Sequence, residues 1–277
     1  MSRPIVFLTD YGLQDEFVGI CHGVMATISP EVRVIDLSHA VPRQDVLRGA
    51  LVLSRAVAYL PPDAVYCAVV DPGVGSERQA IAVRAASGAL LVGPDNGVLS
   101  VAWEVLGGAE AAHEVSSPAV LLSPVSRTFH GRDVFAPVAA YLATGVPLSE
   151  VGLALDPASL RSLEIPGPMV APGAVGCRVV AVDGFGNAQL NATVDHLASA
   201  GIGTVLNVGG QPLPLVGIFA DLPERGLGAI VDSQGYLALV VNHGSAAEAL
   251  QLHEGSAVVL ESPDAGPSRP GHLQAVE

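Results

Sequence analysis

Lysine is missing from this 277-residue chain: all thirteen of its basic side chains are arginine. Without an ε-amine no Schiff base forms, which removes pyridoxal-dependent and class I aldolase chemistry. A phosphate-loop lysine is excluded for the same reason. Cysteine is scarce. Cys21, Cys67 and Cys177 are far apart and show neither a C-x-x-C pair nor zinc spacing. They predict buried thiols rather than a disulfide framework. Long apolar runs are lacking too: the run after Arg3, at 5–9, is too short for a signal-peptide core or a membrane span. A cytoplasmic location and no membrane partner are the expectation. Charge of one sign is in short supply, with 13 basic against 27 acidic residues and a net charge of −14. That balance repels nucleic acid and anionic lipid but not a cationic small molecule. The G-x-G-x-x-G, G-x-S-x-G and H-E-x-x-H patterns do not occur.

What is present is a half-apolar composition that suits packed cores. Apolar runs at 5–8, 32–37 and 65–70 alternate with helical spacing at 17–28 and 46–60, and further strands are expected at 80–83 and 90–92. Helices are expected at 97–106 and 133–143. This order predicts an α/β N-terminal domain, 1–165, with a largely parallel sheet. Such sheets bind ligands beyond the carboxyl ends of their strands, where Asp10 and Asp71 both fall. Residues 166–174 hold the Pro- and Gly-rich texture of a linker. Short β-rich runs follow, separated by Gly, Pro and Asn turns, and predict a smaller β-barrel domain at 175–262. A flexible tail is expected at 263–277.

Three clusters are candidates for chemistry. In D-P-G-V-G-S-E-R, 71–78, Arg78 has room to fold back on Asp71, and a buried pair of this kind favours the charged carboxylate. Spacing alone serves a turn locked by an ion pair equally well. In F-H-G-R-D, 129–133, His130 is suited to proton traffic near neutral pH, while Asp133 reads as a helix N-cap. A loop histidine in a hydrogen-bonding role has the same appearance. In D-G-F-G-N, 183–187, a ring and an amide stand side by side, able to stack on and read a purine. An ordinary hairpin uses the same dipeptides.

Taken together with L-T-D-Y-G-L-Q-D (8–15), V-V-D-P-G-V-G (69–75), G-P-D-N-G (93–97), D-S-Q-G-Y-L (232–237) and V-N-H-G-S-A-A (241–247), these clusters resemble one family over nearly the whole chain to about Leu260. It is the S-adenosylmethionine hydroxide adenosyltransferases, relatives of the fluorinating and chlorinating S-adenosylmethionine enzymes. The resemblance implies hydrolysis of S-adenosyl-L-methionine to adenosine and methionine, with no cofactor and no metal. It implies a homotrimer with active sites at subunit interfaces. By motif match, Asp71, Arg78 and His130 handle the water, Asp10 holds the ribose, Asn187 and Phe185 in the loop begun by Asp183 bind adenine, and Ser233 holds the methionine end. His243 belongs to the substrate-binding set. Halogenating relatives carry tyrosine where this chain has Asp71, and a carboxylate there points to water rather than halide. Two departures stand out: Gln234 replaces the arginine that follows the serine in the fluorinating enzyme, and Asp232 stands where relatives have asparagine. Halogenation, and adenosine or S-adenosylmethionine binding without turnover, are the alternatives.

Overall fold

The computed structural model describes residues 2–263; most of the expected tail lies outside them. The chain divides into two compact units, residues 1–164 and 165–277.

In the first unit the elements run β1 (Ile5–Thr9), α1 (Phe17–Ile28), β2 (Val34–Ser38), α2 (Val46–Ala56), β3 (Val65–Val69), β4 (Ala80–Ala85), β5 (Leu90–Pro94), α3 (Ser100–Val105), β6 (Ala109–Glu114), α4 (Ala136–Ala143) and β7 (Ala154–Leu155). They build one seven-stranded sheet of order β2-β1-β3-β5-β4-β6-β7. Strands β2, β1, β3 and β5 are parallel, whereas β4, β6 and β7 join antiparallel. The sheet is therefore mixed, not largely parallel as the strand–helix alternation suggested. After β3 no helix intervenes before β4, and β4–β5 is a hairpin closed by Ala85 to Ala89, which can only pair antiparallel.

Every residue of β1, β3 and β5 is buried, so apolar side chains serve both faces. Ile5 and Phe7 pack with Cys21, Met25, Phe135 and Leu142 of the α1/α4 layer. Val6 and Leu8 pack with Leu53, Leu99 and Trp103 of the α2/α3 layer. Asp45 caps α2 by accepting from Arg48 N at 2.8 Å, and one orphan amide of the helix start is satisfied.

In the second unit the order is β8 (Met169–Ala171), β9 (Ala174–Val182), β10 (Ala188–Leu190), α5 (Val194–Ser199), β11 (Val205–Val208), β12 (Gln211–Pro214), β13 (Leu227–Val231), β14 (Leu237–Val241), α6 (Ala246–Ala249) and β15 (Ala257–Glu261). An antiparallel sheet of order β12-β11-β15-β9-β10-β14-β13 curls until its edges meet. A bridge links Leu215 with Ala229, and Val216 N donates to Ala229 O at 2.9 Å. The result is a nearly closed barrel filled by Val175, Cys177, Val179, Leu190, Leu206, Leu239 and Leu260. Part of the stretch expected as linker is a strand: β8 pairs with β9. An edge strand tolerates the flanking Pro168 and Pro172, because its outer amides need no partner.

Met25 is fully buried between α1 and the sheet. We expect Met25→Ala to cost ~2–5 kcal/mol. Trp103 is the only tryptophan and is buried in the first unit. Its fluorescence in a urea titration therefore reads that unit, and an unchanged midpoint would contradict the packing described.

Candidate functional site

Asp10 and Asp71 follow β1 and β3, neighbouring parallel strands whose ends are in register at Thr9 and Val69. Both carboxylates thus leave the same carboxyl edge of the sheet, the edge where ligands bind. From Asp71 the chain turns back through Pro72, Gly73 and Gly75. Gly75 has φ +76°, and a Cβ there would run into the backbone carbonyl of Arg127; only glycine serves at that point. The turn brings Arg78 onto Asp71. Its Nε donates to Asp71 Oδ1 at 2.8 Å, and its Nη2 donates to Asp71 Oδ2 in a short contact. Nη2 also lies 2.9 Å from His130 Nδ1. The guanidinium sits 5.2 Å above the centre of the Phe135 ring. Both members of the ion pair are nearly sealed from solvent, with side chains 7% and 6% exposed.

His130 begins one wide π turn, Gly131–Phe135, that leads into α4. Such turns often accompany functional sites. Gly131 is required by its neighbour: a Cβ would overlap the Tyr11 hydroxyl. Asp133 does not cap a helix, as the sequence suggested. It lies inside the π turn, 1% exposed, accepts from Ser126 N at 2.7 Å and pairs with Arg132 at 2.6 Å. It therefore fastens the preceding loop.

Around these groups is a cavity of about 140 Å³ lined by Asp10, Asp71, Tyr11, Phe17, Phe129 and His130. The three aromatic rings lie 5.1–5.9 Å apart, centre to centre. This aromatic wall was missed in the sequence, although Tyr11 and Phe129 lie within quoted motifs. Asp10 Oδ2 accepts from Gln44 N at 2.8 Å. Burial, with nearby Cys21, Cys67, Asp10 and Asp71 adding to it, raises the Tyr11 phenol well above its usual range. Tyr11 is consequently a hydrogen-bond donor at neutral pH.

In G-P-D-N-G the polar groups are structural. Asp95 accepts from Arg161 N at 2.9 Å, and Asn96 donates to the Val70 carbonyl next to Asp71 at 2.8 Å.

The second unit holds the other expected residues. Asp183 Oδ1 accepts from Phe185 N and Asn187 N at 2.9 and 3.0 Å, and Asn187 Nδ2 donates to Asp183 Oδ2 at 2.8 Å. Asp183 thereby shapes the loop and aims the amide, while Phe185 stands 83% exposed. A cleft of about 910 Å³ is lined by these three with Phe219, Asn242 and His243, among others. Arg225 and Ser245 also line it and were not anticipated. Ser233 does not line this cleft. It sits in the turn before β14, whose far end leads to His243, so the two residues lie at opposite ends of one strand. Asp232 braces that turn by accepting from Gln234 N and Tyr236 N at 2.8 and 3.0 Å.

The sequence suggested no metal ligands. The fold nevertheless gathers His22, Asp36 and His39, with ligand atoms all within 4.8 Å of one another.

An α/β unit with a carboxylate–guanidinium–imidazole set at its sheet edge, followed by an antiparallel barrel with an amide-and-ring cleft, defines a two-domain class. Residues 5–152 match the model of the SAM hydroxide adenosyltransferase N-terminal domain, and 177–259 that of the C-terminal domain. The chain belongs to the SAM hydroxide adenosyltransferase family. It is 51% identical to an (R)-S-adenosyl-L-methionine hydrolase of Salinispora arenicola, over 92% of this chain and 96% of that one. It is 32% identical to a fluorinase of Actinopolyspora mzabensis, over 93% and 97%. The solved structure of an uncharacterized conserved protein from Thermotoga maritima superposes with a TM-score of 0.86 at 36% identity, over 92% and 99%.

Burial lowers the His130 pKa from its ordinary 6.5, and Arg78 lowers it further against the opposing pull of Asp71 and Asp133. The folded protein thus binds fewer protons than the unfolded chain between the depressed value and 6.5, so stability falls as pH drops through that window. Imidazole resonances followed by NMR should show His130 titrating below 6.5; a midpoint above it would contradict this electrostatic picture.

Proposed function

We propose that this chain hydrolyses S-adenosyl-L-methionine to adenosine and L-methionine, with Asp71, Arg78 and His130 handling the attacking water. The observation that carries the reading is the guanidinium of Arg78 joining Asp71 and His130 at one small cavity. The close relatives named as hydrolases carry the reaction class, and their names specify the (R) form of the substrate.

The reaction is an in-line displacement at the 5′ carbon. Water oxygen bonds to that carbon, the carbon–sulfur bond breaks, and methionine leaves with the electron pair as a neutral thioether. The sulfonium already activates the leaving group, so no general acid is needed and no cofactor enters the balance. Water, a very weak acid in bulk, must lose a proton as it attacks. Arg78 donates to His130 Nδ1, which leaves the ring proton of neutral His130 on Nε2 and makes that nitrogen a donor. Each Asp71 oxygen receives one bond from Arg78 and keeps a second acceptor site. We therefore assign the proton to Asp71 and water orientation to His130. Asp10 would take the ribose hydroxyls, Asn187 and Phe185 the adenine, and Ser233 the methionine end. Asp183 and His243 support the adenine side from the same cleft. The working form in this reading is a cytoplasmic homotrimer, its active sites built where the first unit of one subunit meets the second unit of the next.

Asp71→Asn should lower adenosine formation by ~10²–10⁴-fold, the usual worth of a general base, and should destabilise because it leaves the buried Arg78 guanidinium without its counter-charge. His130→Ala should lower adenosine formation with the thermal midpoint near wild type. Arg78→Ala should also destabilise, by ~3–5 kcal/mol, because it strands a buried carboxylate. Chromatography of S-adenosylmethionine incubated with the protein checks all three, and wild-type rates in each would refute the assignment. The same assay with the two sulfonium epimers should favour the (R) form. Added chloride or fluoride should yield no 5′-halo product; its appearance in place of adenosine would favour the halogenase alternative.

In water enriched in ¹⁸O the new 5′ hydroxyl should carry the label, read by mass spectrometry. Unlabelled adenosine would exclude direct displacement by water.

A further inference from the structure

His22 on α1, Asp36 on β2 and His39 just beyond β2 converge on one side of the sheet, with Phe7 against both rings. The Phe7 ring centre lies 6.0 Å from that of His22 and 5.0 Å from that of His39. His22 Nε2 lies 2.8 Å from Asp36 Oδ1, and His39 Nε2 lies 3.0 Å from the same oxygen. The two contacts are not equivalent. His22 makes a hydrogen bond. His39 is oriented so that its Nε2, although close, has no hydrogen-bond partner, and its side chain is only 3% exposed. A buried ring nitrogen without a partner is costly, and this one is aimed at a carboxylate and a second imidazole. The other nitrogen of His39, Nδ1, is 2.9 Å from the Thr9 hydroxyl. Holding the outer nitrogen in this way is how proteins orient a ligating imidazole.

We propose that His22, Asp36 and His39 form a binding site for one zinc-class divalent cation. Tetrahedral zinc with bonds of ~2.0–2.1 Å sets its ligand atoms about 3.3 Å apart. The separations of 2.8 and 3.0 Å need to open by only a few tenths of an ångström. Two imidazoles and one carboxylate select zinc and its neighbours over calcium or magnesium, which prefer all-oxygen shells. His22 and Asp36 are partly exposed, leaving an entry path and a fourth position for water. The ion would act as a brace. The His39 carbonyl accepts from Gly12 N at 2.7 Å, and Thr9 precedes Asp10, so the site anchors the loop carrying Asp10 and Tyr11. No step of the hydrolysis passes through it.

The test is isothermal titration of the metal-stripped full-length protein with zinc chloride near neutral pH. One zinc per chain at micromolar affinity or tighter is expected. His22→Ala and Asp36→Asn, both at partly exposed positions, should each weaken binding at least tenfold, while His253→Ala, elsewhere on the surface, should not. Magnesium should give no saturable binding. Absence of saturable zinc uptake, or equal uptake in the His22 and Asp36 variants, would overturn the proposal. X-ray absorption of the wild-type zinc complex decides independently of whether the variants fold. Two imidazoles with oxygen ligands support the site, whereas a sulfur or single-imidazole shell refutes it.

Discussion

The Arg78 guanidinium is the joint of the first unit's site. It touches three parts of the chain at once: the end of β3 through Asp71, the π turn through His130, and the α4 layer through Phe135. A buried ion pair contributes little net stability, because the desolvation of both charges cancels much of their attraction. Its value here is geometric. The planar fork fixes the carboxylate in one orientation through two nearly parallel bonds, and the same fork decides which imidazole nitrogen can carry a proton. The glycine turn at 73–75, the close approach of Arg127 and the packing of Phe135 are arranged around that one group.

Sheet topology explains why the groups needed for chemistry cluster. The parallel strands β1 and β3 end side by side, and an aspartate follows each within two residues. The antiparallel strands β4, β6 and β7 contribute no side chain to the cavity among the described residues. They do, however, position Arg78, which lies two residues before β4. A mixed sheet therefore divides its work: the parallel half presents the acids, and the antiparallel half returns Arg78 to Asp71.

The buried parallel strands were legible in the sequence because runs such as I-V-F-L and V-Y-C-A-V have little alternative to a strand covered on both faces. Strand β6 was not. Its sequence, A-E-A-A-H-E, has low strand propensity, and pairing with β4 overrides that preference. Strand β8 was hidden between prolines for a related reason, since an edge position removes the usual objection to them. Asp71 and Arg78 were readable as a pair because a seven-residue turn keeps them local. That His130 joins them was not readable from spacing: it lies 52 positions beyond Arg78, and only the family motifs linked the two. The His22–Asp36–His39 cluster was invisible because its members come from a helix, a strand and a loop, and their sequence spacing matches no ligand pattern.

In the proposed reading, choice of nucleophile follows from hydrogen-bond complementarity more than from net charge. Asp71 and Arg78 together are close to neutral, so the pair exerts little long-range pull or push on an anion. Locally the balance is unequal. Arg78 Nε and Nη2 are committed to Asp71 and His130, while the carboxylate keeps unfilled acceptor sites. Water can donate to those sites and present its oxygen to carbon at the same time. A halide is an acceptor only. Placed in the cavity, it would leave the carboxylate unsatisfied, at a cost of ~1–3 kcal/mol or more for a charged group, and would meet like charge at short range. A tyrosine at the same position would remove both penalties. In the proposed reading, the carboxylate at position 71 thus favours water over halide as the nucleophile.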